Sequence, residues 1–210
     1  MGVRALYEQT LQERGYTSAA AQLRAIDALE RCENEWADYK ARRSNAVTKL
    51  LVRPPIPRGV YMWGGVGRGK SFLMDCFFQA VPLTRKTRLH FHEFMREVHR
   101  ELQELKGTPN PLQELGARIA RRFRLICFDE FHVSDVTDAM ILHRLLDAMF
   151  ANRVSIVTTC NFPPDGLYPN GLHRDRILPA IELLKERLDV LQIDGGIDYR
   201  QLAMAHIDAY

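Results

Sequence analysis

Residues Gly64-Gly65-Val66-Gly67-Arg68-Gly69-Lys70-Ser71 follow the pattern G-x-x-x-x-G-K-[ST]. That spacing builds a phosphate cradle. The glycines let the backbone curl until successive N–H groups face one anion. Lys70 then reaches the β- and γ-phosphates, and the Ser71 hydroxyl ligates Mg²⁺. Gly64, Gly65, Val66, Gly67, Arg68, Gly69, Lys70, Ser71 and the following Phe72 are the candidate nucleotide contacts. A glycine-rich turn with a chance Lys-Ser is the bland alternative.

A second signal makes that alternative weak. Leu125-Ile126-Cys127-Phe128-Asp129-Glu130 is an apolar run ending in two carboxylates. An acid at the carboxyl end of a strand beside the loop can hold hydrated magnesium, so Asp129 joins Ser71 as a candidate metal residue. Glu130 is placed to orient and deprotonate the attacking water. Two solvated acids capping a strand would explain the charge, but not four apolar residues leading into it. Together the motifs point to Mg-dependent hydrolysis of a nucleoside triphosphate. No N-K-x-D guanine signature appears, which favours ATP over GTP.

Two further places could complete such a site. Val154 to Cys160 reads as a strand, so Asn161 would stand at the sheet's carboxyl edge, where an amide can bond the γ-phosphate or the water. It could equally be a turn residue before Phe162-Pro163-Pro164. Arg174 and Arg176 precede a helix near Leu178-Pro179. They are either helix-end charges or arginines that reach a neighbouring subunit's γ-phosphate, a contribution of about 10³–10⁵ in rate. His90 and His92 share one face of a short strand over 87–92 and, with no third ligand nearby in sequence, read as core or edge histidines.

These residues need a scaffold. Val60 to Trp63 reads as a buried strand into the loop, and Ser71 to Phe78 as the helix after it. Strands near 87–92, 125–129, 154–159 and 188–193 alternate with helices near 93–105, from Pro111 onward, near 135–151 and near 178–187. That alternation predicts an α/β fold around a parallel sheet. Residues 1–52 read as a helical extension, with Ala19, Leu23, Ile26, Leu29 and Ala37 at helical spacing. Pro54-Pro55-Ile56-Pro57 links it to a core over 53–210.

The 210 residues carry a net charge of +3, too little to imply nucleic acid by itself. Yet Tyr39 to Arg58 holds Lys40, Arg42, Arg43, Lys49, Arg53 and Arg58 and no acid. It is either a solvated face or a patch for an acidic partner or phosphate backbone. Cys32, Cys76, Cys127 and Cys160 have neither disulfide nor zinc spacing and read as small core residues. No run approaches a membrane span, and the first twenty residues resemble no secretion or transit segment, so a cytoplasmic setting is expected.

The chain resembles the ZapE and lactation-elevated (AFG-type) family of AAA+ ATPases. The resemblance rests on Gly59 to Ser71, His90-Phe91-His92-Glu93-Phe94-Met95, Cys127 to Phe131, Asp138-Ala139-Met140 and Leu167-Tyr168-Pro169-Asn170-Gly171-Leu172. It implies an AAA+ P-loop core with strand order 5-1-4-3-2. Lys70 and Ser71 match the phosphate loop, and Asp129 and Glu130 match the magnesium and water-activating acids. Asn161 matches a sensor, and Arg174 or Arg176 the finger. It also implies ATP-driven action on a protein client by a ring-forming homo-oligomer. For the bacterial branch that client is FtsZ, and the lack of a transit segment favours that branch. A helicase-loader-like, nucleic-acid-associated role is the competing reading, with the 39–58 stretch as its footprint. The family continues through a helical lid and a second sensor arginine. The 210 residues are therefore expected to lack the lid and to be weakly active, or an incomplete nucleotide-binding fragment. His132 stands where the family pattern has Gln.

Overall fold

Strand β1 (Gly59–Trp63) is apolar throughout because both of its faces are covered. Val60 and Met62 pack into one hydrophobic cluster and Tyr61 into another, as the two-residue period of a strand requires. The same division runs through β3 (Leu125–Asp129), with Leu125 and Cys127 on one side and Ile126 and Phe128 on the other. The computed structural model describes residues 1–15, 20–67 and 69–193. With β2 (Lys86–His90), β4 (Ser155–Cys160) and β5 (Leu188–Gln192), the strands form one parallel sheet in the order β2-β3-β4-β1-β5. This is the expected order, counted from the other edge.

One face carries α1 (Val3–Arg14), α2 (Ala20–Ala41) and α4 (Lys70–Ala80), all in the cluster that holds Val60 and Met62. The other carries α5 (Phe91–Glu104), α6 (Pro111–Arg122), α7 (Val136–Ala151) and α8 (Leu178–Arg187). Short α3 (Ala46–Leu51) joins α2 to the Pro-rich link. Packing is closest where Gly59 faces β4, since a Cβ there would lie 1.8 Å from the Ile156 carbonyl oxygen.

Two sequence expectations change. The stretch 1–52 is not one periodic stripe. Gly15 ends α1 at φ 66°, and α2 buries Ala25, Ile26, Leu29, Cys32 and Trp36, leaving Leu23 and Ala37 exposed. Ala19 lies outside the described residues. His90 and His92 do not share a strand face, because β2 stops at His90 and α5 starts at Phe91. Phe91, Phe94, Met95 and Val98 are buried at helical spacing, so the period changes from two to 3.6 at this point. The two rings still stack, 5.6 Å apart, and both are exposed. The cysteines are buried and free, as expected. Burial pushes the thiols of Cys32 and Cys76 up to about 12 and about 11, which keeps them protonated and inert at neutral pH.

Candidate nucleotide site

The loop turns at Gly67 (φ 79°) and Gly69 (φ 81°), conformations a side chain would strain, and Gly69 caps α4. The helix therefore points its N-terminal dipole at the loop. Lys70 folds back, and its Nζ donates to the carbonyls of Gly64 and Gly65, each at 2.6 Å. Arg68 lies outside the described residues.

Because β4 lies between β1 and β3, the residues after these three strands meet at one edge of the sheet. A cavity of about 310 Å³ opens there, lined by Val66, Gly67, Gly69, Lys70, Ser71, Phe72, Glu130, Thr159, Cys160 and Asn161 among others. Segments 29 residues or more apart in the chain thus share one pocket.

Glu130 takes a positive φ of 53°, unusual for a side-chain-bearing residue. Two bonds to β4 hold that turn. The Glu130 N–H donates to Thr159 Oγ1 at 3.2 Å, and the Phe131 N–H to the Thr159 carbonyl at 2.8 Å. The Glu130 carboxylate is left 75% exposed, with His90 Nδ1 at 4.0 Å. Asn161 follows Cys160, whose Sγ bonds the Phe131 carbonyl at 2.9 Å. The Tyr61 hydroxyl donates to the Phe162 carbonyl at 2.9 Å and secures the next residue.

Asp129 is half-buried and engaged by a residue that sequence reasoning missed. Arg88 of β2 donates to both its oxygens, from Nε at 2.7 Å and from a terminal nitrogen at 3.2 Å. The remaining terminal nitrogen of Arg88 bonds Asp75 of α4. One guanidinium thus ties the acid of β3 to the helix that follows the phosphate loop. The only sequence signal was a charge within a strand beside an acidic one, and it needs the β2–β3 pairing to be read. Arg88→Ala is expected to lower stability by about 1–3 kcal/mol, since bonds to charged groups are lost from a mostly shielded pair. A thermal melt checks this; an unchanged midpoint would mean the fork contributes nothing.

A second missed feature is the wall supplied by α1. Thr10, Leu11 and Arg14 line the same cavity. Tyr7 stacks on Phe72 at 5.6 Å, and the Arg14 guanidinium lies 5.8 Å from the Phe72 ring centre. Nothing in the spacing of α1 announces this, because the α1–α4 contact is made only in three dimensions. Arg174 and Arg176 are not brought to the pocket. Arg174 donates to the Asp165 carbonyl at 2.7 Å, and Arg176 is largely exposed beside Asp175.

A model of the AFG1-like ATPase family matches residues 1–210. The chain belongs to that family. It is 53% identical over 152 residues to the cell division protein ZapE of Escherichia coli, covering 71% of this chain and 40% of that protein. It is 42% identical over 163 residues to the lactation elevated protein 1 homolog B of Danio rerio, covering 72% of this chain and 32% of that protein. The chain thus spans less than half the length of these relatives. Domain III of the Thermotoga maritima replication initiation protein DnaA has a similar fold, with a TM-score of 0.58 at 14% identity over 90% of this chain and 69% of that one. This AFG1-like chain carries helices on both faces of a parallel sheet in the order β2-β3-β4-β1-β5, the α/β fold of an AAA+ P-loop core.

Proposed function

We propose that this AFG1-like chain is the core of a Mg-dependent ATPase that drives work on a protein client. The proposed division is a helical extension over 1–52 and a core over 53–210, of which 194–210 lie outside the described residues. One observation carries the reading: the loop residues around Lys70 and Ser71, the exposed Glu130 carboxylate and Asn161 line one cavity. The loop N–H groups and the α4 dipole receive the phosphates. Lys70 leaves the Gly64 and Gly65 carbonyls to neutralise the β- and γ-phosphate oxygens. Ser71 and Asp129 are oxygen donors of the kind magnesium accepts, one hydroxyl and one carboxylate, and would hold it, Asp129 while its oxygens also accept from Arg88. When bound, the ion draws charge from the β- and γ-phosphate oxygens. Glu130 accepts the proton of a water aimed at the γ-phosphorus. As the new P–O bond forms, the bond to the β–γ bridging oxygen breaks and ADP leaves. Asn161 donates its amide N–H to the γ-phosphate or orients that water.

Arg174 and Arg176 are set away from the cavity of their own chain. They suit a finger role toward the γ-phosphate of an adjoining copy, with Arg174 the favoured one, in a homo-oligomeric ring. The client is a cell-division protein, FtsZ by the family resemblance, and the setting is cytoplasmic. Among the described residues no helix is long and apolar enough to cross a membrane. The test is ATP turnover against protein concentration. Turnover per chain is expected to rise with concentration, and Arg174→Ala to lower it by about 10³-fold while monomer nucleotide binding stays. Turnover per chain independent of concentration would remove the trans-finger assignment.

A further inference from the structure

Helix α3 has a construction that the nucleotide site does not explain. None of its residues is buried. Val47, Leu50 and Leu51 are 65%, 78% and 74% exposed. Their i, i+3, i+4 spacing sets them on one face. So short a helix has little stability of its own, yet it is held firmly. Asn45 Oδ1 accepts from the Thr48 N–H at 2.8 Å, and Thr48 Oγ1 accepts from the Asn45 N–H at 3.2 Å. Arg43 donates to the Lys49 carbonyl at 2.7 Å and to the Tyr39 hydroxyl at 3.0 Å. Fixed polar contacts therefore present an apolar face to water.

Cations precede, interrupt and follow α3 along the chain. Arg58 is occupied with Asp189 and the carbonyls at the end of α8, and Arg43 with α3 itself. Lys40, Arg42, Lys49 and Arg53 remain exposed. The nearest acid to Arg42 is Asp38 at 3.7 Å; Lys40, Lys49 and Arg53 have no carboxylate partner among the described residues.

We propose that α3 docks the chain on an anionic lipid surface. Val47, Leu50 and Leu51 enter the boundary between headgroups and acyl chains, and Lys40, Arg42, Lys49 and Arg53 meet the lipid phosphates. Two other occupants fit less well. A nucleic acid backbone would match the charges but gain nothing from three large aliphatic side chains. A peptide needs a groove, and α3 residues line none of the described cavities. A bilayer accepts a short exposed apolar face whose own helix and neighbouring chain are basic. This inference does not rest on the ATPase reading.

The test is co-sedimentation of the 210-residue chain with vesicles of mixed phosphatidylglycerol and phosphatidylcholine, beside phosphatidylcholine alone. Binding is expected only with the anionic vesicles, and it should weaken as salt rises. Leu50→Glu with Leu51→Glu is expected to reduce binding by roughly tenfold or more. Lys49→Glu with Arg53→Glu should reduce it comparably. Both double variants should keep the parent thermal midpoint, because none of the four side chains is buried. No binding to anionic vesicles at low salt would overturn the proposal. So would equal binding to neutral vesicles, or full binding by the leucine double variant. Binding to nucleic acid or to an acidic protein without vesicle binding would overturn it as well.

Discussion

Glu130→Gln is expected to slow ATP turnover by about 10²–10⁴-fold, the usual contribution of a positioned general base, while nucleotide still binds. An amide keeps the shape of the carboxylate but cannot take a proton from water. Binding should survive because the cradle is built from the loop and Lys70, and the magnesium acid is the separate residue Asp129. Folding should survive too. The Glu130 side chain is 75% exposed, with His90 Nδ1 at 4.0 Å its ion-pair neighbour, so removing its charge strands no buried group. A change in stability within about 0.5 kcal/mol is expected, as for other surface substitutions. The positive φ of Glu130 is fixed by backbone bonds to Thr159 rather than by its side chain, so the turn should persist. Steady-state turnover, beside equilibrium binding of a fluorescent ATP analogue, checks both halves. Parent-like turnover would move the base elsewhere. Lost binding would make Glu130 a ligand contact instead.

Lys70→Ala is expected to weaken ATP binding by roughly 10²–10⁴-fold. The Nζ sits within 2.6 Å of two loop carbonyls, on the helix whose N-terminus opens the cavity, and Lys70 is 8% exposed. A charge held there against phosphate makes about two charge-assisted bonds, each about 1.5–3 kcal/mol. The substitution also removes a buried aliphatic stem. Lys70→Met, which restores the stem without the charge, should bind as poorly as Lys70→Ala while melting closer to the parent. Isothermal titration with ATP and a thermal melt separate the two effects. Parent-like affinity in either variant would defeat the assignment of the loop.

What was legible in the sequence was whatever contiguous residues encode. The phosphate loop is a run of eight positions whose glycines, lysine and serine each have a local reason to be there. The strand into Asp129 announced itself by four apolar residues, and α8 was bounded as found because Pro179 and the charges around it punctuate it locally. Errors arose where periodicity was the only guide. In α2 a stripe through Leu23 and another through Trp36 both look helical, and only packing against β1 and α4 selects the second. At His90 a strand gives way to a helix with no glycine or proline to mark the change.

By itself, then, the sequence determined the local chemistry: a phosphate cradle, two acids at a strand end, and the alternation that makes a parallel sheet. The tertiary structure decided which parts meet. Strand β4 between β1 and β3 brings Thr159 and Asn161 beside Glu130. Pairing of β2 with β3 delivers Arg88 to Asp129. Docking of α1 on α4 adds Thr10, Leu11 and Arg14 to the pocket, and Arg174 is set apart from it. The reason is physical. Propensity, capping and turn chemistry act over a few residues and can be read along the chain. The burial that pairs distant faces is non-directional, so a pattern shows that a face is covered but not by what.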